Sequence, residues 1–430
     1  MRARLPAACA AAGMLLVLSA PPVQPAAVGA EPDRACVVGT PPRELAVPPV
    51  ADRGHGLATG SGVIVAVIDT GVADHPRLGG VVPGADLVTP DAPDPLRDCD
   101  GHGTVVAGVI AARPSEQDAL VGIAPGARIV SVRQSSAHYR SPAGPGAAGA
   151  QREGSGTLGG LARAIHEALD QGARVINASV VACVEPRRAA GMDTGSLDEA
   201  LARAEAEGAV VVAAAGNASA DCPPGSVVYP GHAETVLTVT ALADEHRLAD
   251  YSVAAGPGSL AAPGTVAVGL DPGGAGLATG VTDPESGTAR GFEGTSFAAP
   301  VVSGLAAALI ERHPEASPAL LRAHLRQAAQ PPHGAVDAHQ VLGHLHVPES
   351  ARAGGGAGGV DAGAAGAGGG AGTADGGRGA SSSGEDGERI AAPVPADTSV
   401  TGRAAAVGVG ILAILALSGL VVGLAVGGRR

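Results

Sequence analysis

Residues 63–68 are apolar without interruption, and Asp69, Thr70 and Gly71 follow at once in the stretch GVIVAVIDTGV. A strand with one wet face alternates apolar and polar residues; this one has no polar face to offer. It must be covered on both sides, the situation of an inner strand in a parallel sheet flanked by helices. The rest of the chain repeats that demand. In LGGLARAIHEALDQGARVINASV, Leu161, Ile165, Ala168 and Leu169 fall on one helical face, Gly172 stops the helix, and RVINAS reads as the next strand. LDEALARAEAEGAVVVAAAGN repeats helix, glycine and strand, while TVLTVTAL and GTVAVGL add further strands. Strands alternating with helices predict an α/β domain with a parallel sheet and its active groups at the strands' C-terminal ends.

Composition matters mainly for what it excludes. Aromatics make up only 1% of the 430 residues, so Val, Leu, Ile and Ala must fill the core. A net charge of -13 with no basic cluster argues against a nucleic-acid partner. Arg2 and Arg4, the apolar run over 7–20 and the small residues of VGA at 28–30 predict an export signal over 1–30. Export leaves Cys36, Cys99, Cys183 and Cys222 in an oxidising compartment, where four cysteines predict two disulfides with three possible connectivities. No spacing among them resembles a zinc knuckle.

Residues 31–60 form a Pro-rich, irregular extension, and the globular region spans 61–346. Within it, 133–157 is a polar, Gly/Pro-rich loop. Residues 347–403 are mostly Gly, Ala and Ser and read as a tether; a coil of about 50 residues reaches roughly 40 Å. Residues 404–426 carry no charge over 23 positions, long enough to span a bilayer, and Arg429 and Arg430 in the tail 427–430 favour its cytoplasmic side. The expected topology is a single-pass cell-membrane protein with its globular part outside the cytoplasm.

Three short motifs carry chemistry. Asp69 ends a buried strand, His102 stands between glycines in DGHGTVVAGVI, and Ser296 lies in GTSFAAP. Taken singly, each has a plainer use: a carboxylate caps or pairs, and a serine among alanines packs. A serine becomes a nucleophile only with a base to take its proton and an acid to hold that base's tautomer. Asp, His and Ser in this chain order are one of the recurring arrangements.

These motifs, with GIAPGARIVSVR, RVINAS, VVVAAAGN, LAAPG and GTSFAAPVVSGLAAAL, resemble the ordered signature blocks of the subtilisin-like serine proteases of family S8. The resemblance implies a parallel sheet sandwiched by helices, a triad of Asp69, His102 and Ser296, and an oxyanion donor in Asn217. It also implies a substrate groove edged by Ser179 and Val180 on one side and Ala214 and Gly216 on the other. The family usually has a glycine where Val180 or Val181 stands, which alters the pocket. No cofactor is implied. Asp91, Asp94, Asp98 and Asp100 are the nearest candidates for a cation site and read as a solvated loop, so no metal is expected.

The short extension with Cys36, the long loop, four mature cysteines and the apolar C-terminal segment together resemble the mycosins, membrane-anchored subtilisin-like proteases of type VII secretion systems. That resemblance implies the pairs Cys36–Cys99 and Cys183–Cys222, protein or peptide substrates, and partners among the secretion-complex components. Two functions follow from it: an endopeptidase that processes exported proteins, or a component that mainly stabilises the complex with proteolysis dispensable.

Overall fold

The computed structural model describes residues 32–44, 54–139, 155–256 and 258–343. The expected export signal, tether, membrane span and tail fall outside the described residues, as does most of the 133–157 loop. Among the described residues no helix is long and apolar enough to cross a membrane.

Among the described residues eight strands make the central sheet: β1 (Ile64–Asp69), β2 (Val82–Asp86), β3 (Arg128–Arg133), β4 (Val175–Ala178), β5 (Val210–Ala214), β6 (Val236–Asp244), β7 (Arg247–Leu248) and β8 (Leu260–Pro263). Their order is β7-β6-β5-β4-β1-β3-β2, with β8 also on β6. Every pairing is parallel except that of β7 with β6. β1 is thus an inner strand, as its unbroken apolar run demands. Its residues divide between two cores: Val65 and Val67 face one side, Ala66 and Ile68 the other, all fully buried. Helix α1 (Gly103–Ala111) and α4 (Thr295–Arg312) cover the first face; α2 (Leu158–Asp170) and α3 (Gly195–Ala206) cover the second. In α2 the expected face of Leu161, Ile165, Ala168 and Leu169 is buried, and Gly172 takes φ 76° just past its end. Each such Leu or Ile contributes about 1.5–3 kcal/mol by leaving water. GTVAVGL differs from expectation: it splits into Thr265–Val266 and Gly269–Leu270, each in a small antiparallel pair outside the sheet.

Strand order reverses around β1, since β2 and β3 lie on one side of it and β4 to β6 on the other. The crevice beyond the C-terminal ends at such a switch point is where α/β proteins bind ligands. Asp69 is the last residue of β1, opposite Arg133 at the end of β3.

The extension is not irregular throughout. Val38–Thr40 is a strand, antiparallel to Gly280–Thr282, which in turn pairs with Ala289–Arg290. The partner lies some 240 residues away, so no local pattern announces it. Cys36 is bonded to Cys99, and Cys183 to Cys222. The first bridge closes a separation of 63 residues. Cys36→Ser is expected to cost about 4 kcal/mol of stability in the chain-entropy picture, read as a lowered denaturant midpoint. A midpoint equal to wild type would show that strand pairing alone holds the extension.

Candidate active site

Asp69 is fully buried at the end of β1. Its Oδ1 accepts from its neighbour's amide, Thr70 N, at 2.7 Å, and lies 2.7 Å from His102 Nδ1. His102 is the residue that opens α1, and the approach of that turn to β1 is very close. A Cβ on Gly103 would stand 2.1 Å from the Gly71 carbonyl oxygen and 3.1 Å from Asp69 Cβ, so the glycine after His102 is a steric requirement. The imidazole packs on Phe297 with ring centroids 4.9 Å apart. His102 Nε2 is buried without a hydrogen-bond partner, and His102 and Ser296 line one cavity of about 60 Å³. Burial opposes charging of the imidazole, but the Asp69 carboxylate beside it, helped by Asp98 and Asp100, outweighs burial. His102 therefore titrates above its ordinary value.

Ser296 is the second residue of α4 and 5% exposed. α4 is apolar all round and buried along almost its whole length, as a central helix must be. The small residues that made Ser296 look like packing are what let this helix run through the core. Pro300 lies inside it and has no N–H, so the Ser296 carbonyl loses its donor from the next turn. Ser179 Oγ replaces that donor, reaching Ser296 O at 3.0 Å while accepting from Asn177 Nδ2 at 2.8 Å.

Asn217 follows β5. Its Oδ1 accepts from Thr295 N at 2.9 Å and Thr295 Oγ1 at 3.1 Å, while Thr295 Oγ1 accepts from Gly216 N at 3.1 Å. With the oxygen so engaged, the amide NH2 points the other way. A Cβ on Gly294, which has φ 154°, would meet Asn217 Nδ2 at 2.9 Å and Ser296 Oγ at 3.4 Å. The side-chain amide and the hydroxyl thus flank one point that only a glycine leaves open. The Cys183–Cys222 bridge packs beneath, its sulfurs 3.3 and 3.2 Å from where a Gly216 Cβ would lie.

Asp69, His102, Ser296 and Asn217, drawn from four distant motifs, are brought together at the sheet's C-terminal edge. Of the groove positions, Ser179 and Val180 are buried, with Ser179 under the Ser296 backbone; Ala214 is buried at the end of β5 and Gly216 braces Thr295. Among the described residues no group of three or more His, Cys, Asp or Glu side chains is placed to hold a metal ion. The reading of Asp91, Asp94, Asp98 and Asp100 as a solvated loop needs correction. Asp91 is exposed, but Asp98 is only 8% exposed, because four donors converge on its carboxylate. Sequence reasoning missed this residue, and also Thr295, whose only signal is its place in GTS.

Such a constellation can pass a proton from a hydroxyl to an imidazole whose other nitrogen is held by a buried carboxylate, with a side-chain amide close beside the hydroxyl. Asn217→Ala is expected to lower kcat by about 10²–10³-fold with KM little changed, as for the corresponding donor of subtilisin. Steady-state hydrolysis of a chromogenic peptide measures it; a loss below about threefold would remove Asn217 from the oxyanion site.

Similarity to known proteins extends over most of the chain. The subtilase family (peptidase S8) matches residues 60–361. Mycosin-4 of Mycobacterium tuberculosis is 37% identical over 326 residues, covering 70% of this chain and 69% of its own length, and Mycosin-1 of the same organism is 38% identical over 314 residues (67% and 68%). The crystal structure of MycP1 from the ESX-1 type VII secretion system superposes with a TM-score of 0.64 at 31% identity, over 76% of this chain and 96% of that one. The chain in an intact ESX-5 inner membrane complex gives 0.65 at 31% identity, over 92% and 94%. This chain belongs to the subtilase family and, within it, to the mycosins: it is a subtilisin-type serine endopeptidase.

Proposed function

We propose that Ser296 is the nucleophile, His102 the general base and Asp69 the residue that holds its tautomer, with the Asn217 side chain and the Ser296 N–H donating to the oxyanion. The single observation that carries this is the 2.7 Å contact of Asp69 Oδ1 with His102 Nδ1, with Ser296 sharing the cavity of His102. Ser296 Oγ attacks the scissile carbonyl as His102 Nε2 takes its proton; the same nitrogen then protonates the leaving amine, and water repeats the sequence to release the acyl group. The N-terminus of α4 adds its dipole to the oxyanion site. The substrate lies in a groove between the segments of Ser179 and Val180 and of Ala214 and Gly216.

The enzyme works as a membrane-anchored protein of a type VII secretion system, its signal at 1–30, its extension at 31–60, its peptidase domain at 61–346, its tether at 347–403, its span at 404–426 and a cytoplasmic tail at 427–430. It faces away from the cytoplasm and processes exported proteins. The uncharged 404–426 segment supports the anchor, and the relatives solved from such systems support the setting. A second reading is supported by one observation, the match over 92% of this chain to a chain of an intact inner membrane complex: the protein mainly stabilises that complex, and its proteolysis is dispensable. Ser296→Ala in the cell separates the two. Cleavage lost with secretion retained favours the stabilising role; secretion lost with a stable, full-length Ser296→Ala protein favours processing.

A further inference from the structure

The buried Asp98 carboxylate has no part in the proton transfers above, yet it is bonded to both sides of the Asp69–His102 pair. Its Oδ1 accepts from Thr70 Oγ1 at 2.8 Å and Gly101 N at 2.9 Å; its Oδ2 accepts from Thr104 N at 2.8 Å and Thr104 Oγ1 at 2.7 Å. Thr70 is the residue after Asp69, while Gly101 and Thr104 bracket His102. The same hydroxyls carry the linkage further: Thr70 Oγ1 accepts from Gly103 N at 3.1 Å, and Thr104 Oγ1 accepts from Ala73 N at 3.0 Å. Two loops that belong to different strands, already in contact at Asp69–His102 and at Gly71–Gly103, are thereby laced into one unit with Asp98 bonded to both.

We propose that Asp98 is a positioning residue of the proteolytic site, which sets the separation and angle of Asp69 and His102 by gathering donors from both of their loops. The proposal rests on the triad reading given above. A purely structural role does not require a carboxylate in a buried site. Burial pushes Asp98 up to about 6, against the hydrogen bonds of Thr104 and Thr70. At that electrostatic disadvantage the carboxylate is held by its four acceptances, and all four end beside the Asp69–His102 pair. Its charge also reaches His102, whose imidazole it helps to hold above its ordinary value. The ionisable groups around it are His102, Asp69 and Asp100, and His138 Nε2 stands 4.0 Å from Asp100 Oδ1.

The test uses the full chain, a chromogenic peptide and a fluorophosphonate label. Asp98→Asn is expected to lower kcat at pH 8 by about 10–100-fold, the order that a misplacement of about 1 Å costs, with KM within about twofold. Because the negative charge near His102 is gone, the acid limb of kcat/KM moves to lower pH. Thr70→Val, which cuts the link to the Asp69 loop but keeps the charge, is expected to lower kcat by about 5–10-fold with the acid limb unmoved, and Thr70→Ser restores it. Folded Asp98→Asn protein with kcat within twofold of wild type overturns the proposal. So does a loss of activity that follows only a drop in the folded fraction, with kcat per labelled site unchanged. Should Asp98→Asn fail to fold, Thr70→Val decides: unchanged kcat overturns the positioning role and the expected loss supports it. Ser296→Ala runs beside them; full cleavage by that variant would instead sink the triad reading, and the proposal with it.

Discussion

Ser296→Ala is expected to lower kcat by about 10⁶-fold, the order found for the nucleophile of subtilisin, while leaving the fold intact. In the proposed mechanism the hydroxyl oxygen forms the bond to the acyl carbon, so its removal takes away the covalent step. The small effect on folding follows from its surroundings. Ser296 is held by its backbone, through the Ser179 hydroxyl on its carbonyl and the first turn of α4, and Ala fits the same helical position. Residual hydrolysis about 10³–10⁴-fold above water should remain, supplied by substrate binding and the oxyanion donors. Two measurements check this: burst kinetics with a chromogenic peptide, and stoichiometric fluorophosphonate labelling, which the variant should lose entirely. Labelling that persists in Ser296→Ala would place the nucleophile elsewhere.

Asp69→Asn is expected to lower kcat by about 10⁴-fold. Asp69 Oδ1 serves both Thr70 N and His102 Nδ1, and its Oδ2 is buried without a hydrogen bond. An amide turned with its NH2 to His102 fixes the wrong tautomer, with the proton on Nε2, where a base must have none. Turned the other way, it keeps the tautomer, lacks the charge that steadies the imidazolium, and leaves an NH2 buried and unpaired. Both orientations lose. The pH dependence carries its own signature. The Asp69 carboxylate is the strongest of the influences that raise His102, and burial opposes it. Removing that carboxylate lowers the pKa, so the acid limb of kcat/KM moves to lower pH as the plateau collapses. A plateau within tenfold of wild type would show that Asp69 is dispensable for orienting His102.

Much of this was legible in the linear chain, and the reasons differ by residue. β1 and its flanking helices announce themselves because burial on both faces leaves an unmistakable pattern, and Asp69, His102, Asn217 and Ser296 each sit in a compact motif whose glycines have steric work to do. Other features depend on contacts made only after folding. β2 contains Pro83 and Gly84, which break a strand pattern, yet an edge position tolerates them. The strand at Val38–Thr40 needs a partner that begins at Gly280. Asp98 looked solvated because neighbouring aspartates ordinarily are; its burial depends on Thr70 and Thr104 arriving from two directions. The task of Ser179 follows from a proline more than a hundred residues away, so no local reading could assign it.

The pairing of Val38–Thr40 with Gly280–Thr282 also has a consequence for the order in which the molecule can be finished. The earliest strand among the described residues waits for one of the last pieces of the domain to be made, so it stays unpaired through most of synthesis. Contacts of such long sequence separation form late and slow the approach to the native state. A chain truncated before Gly280 should therefore leave Val38–Thr40 unpaired even where its central sheet has begun to assemble and Cys36 is bonded to Cys99. Protease sensitivity at the extension would then serve as a clock for completion of the domain, closing only when the far hairpin docks.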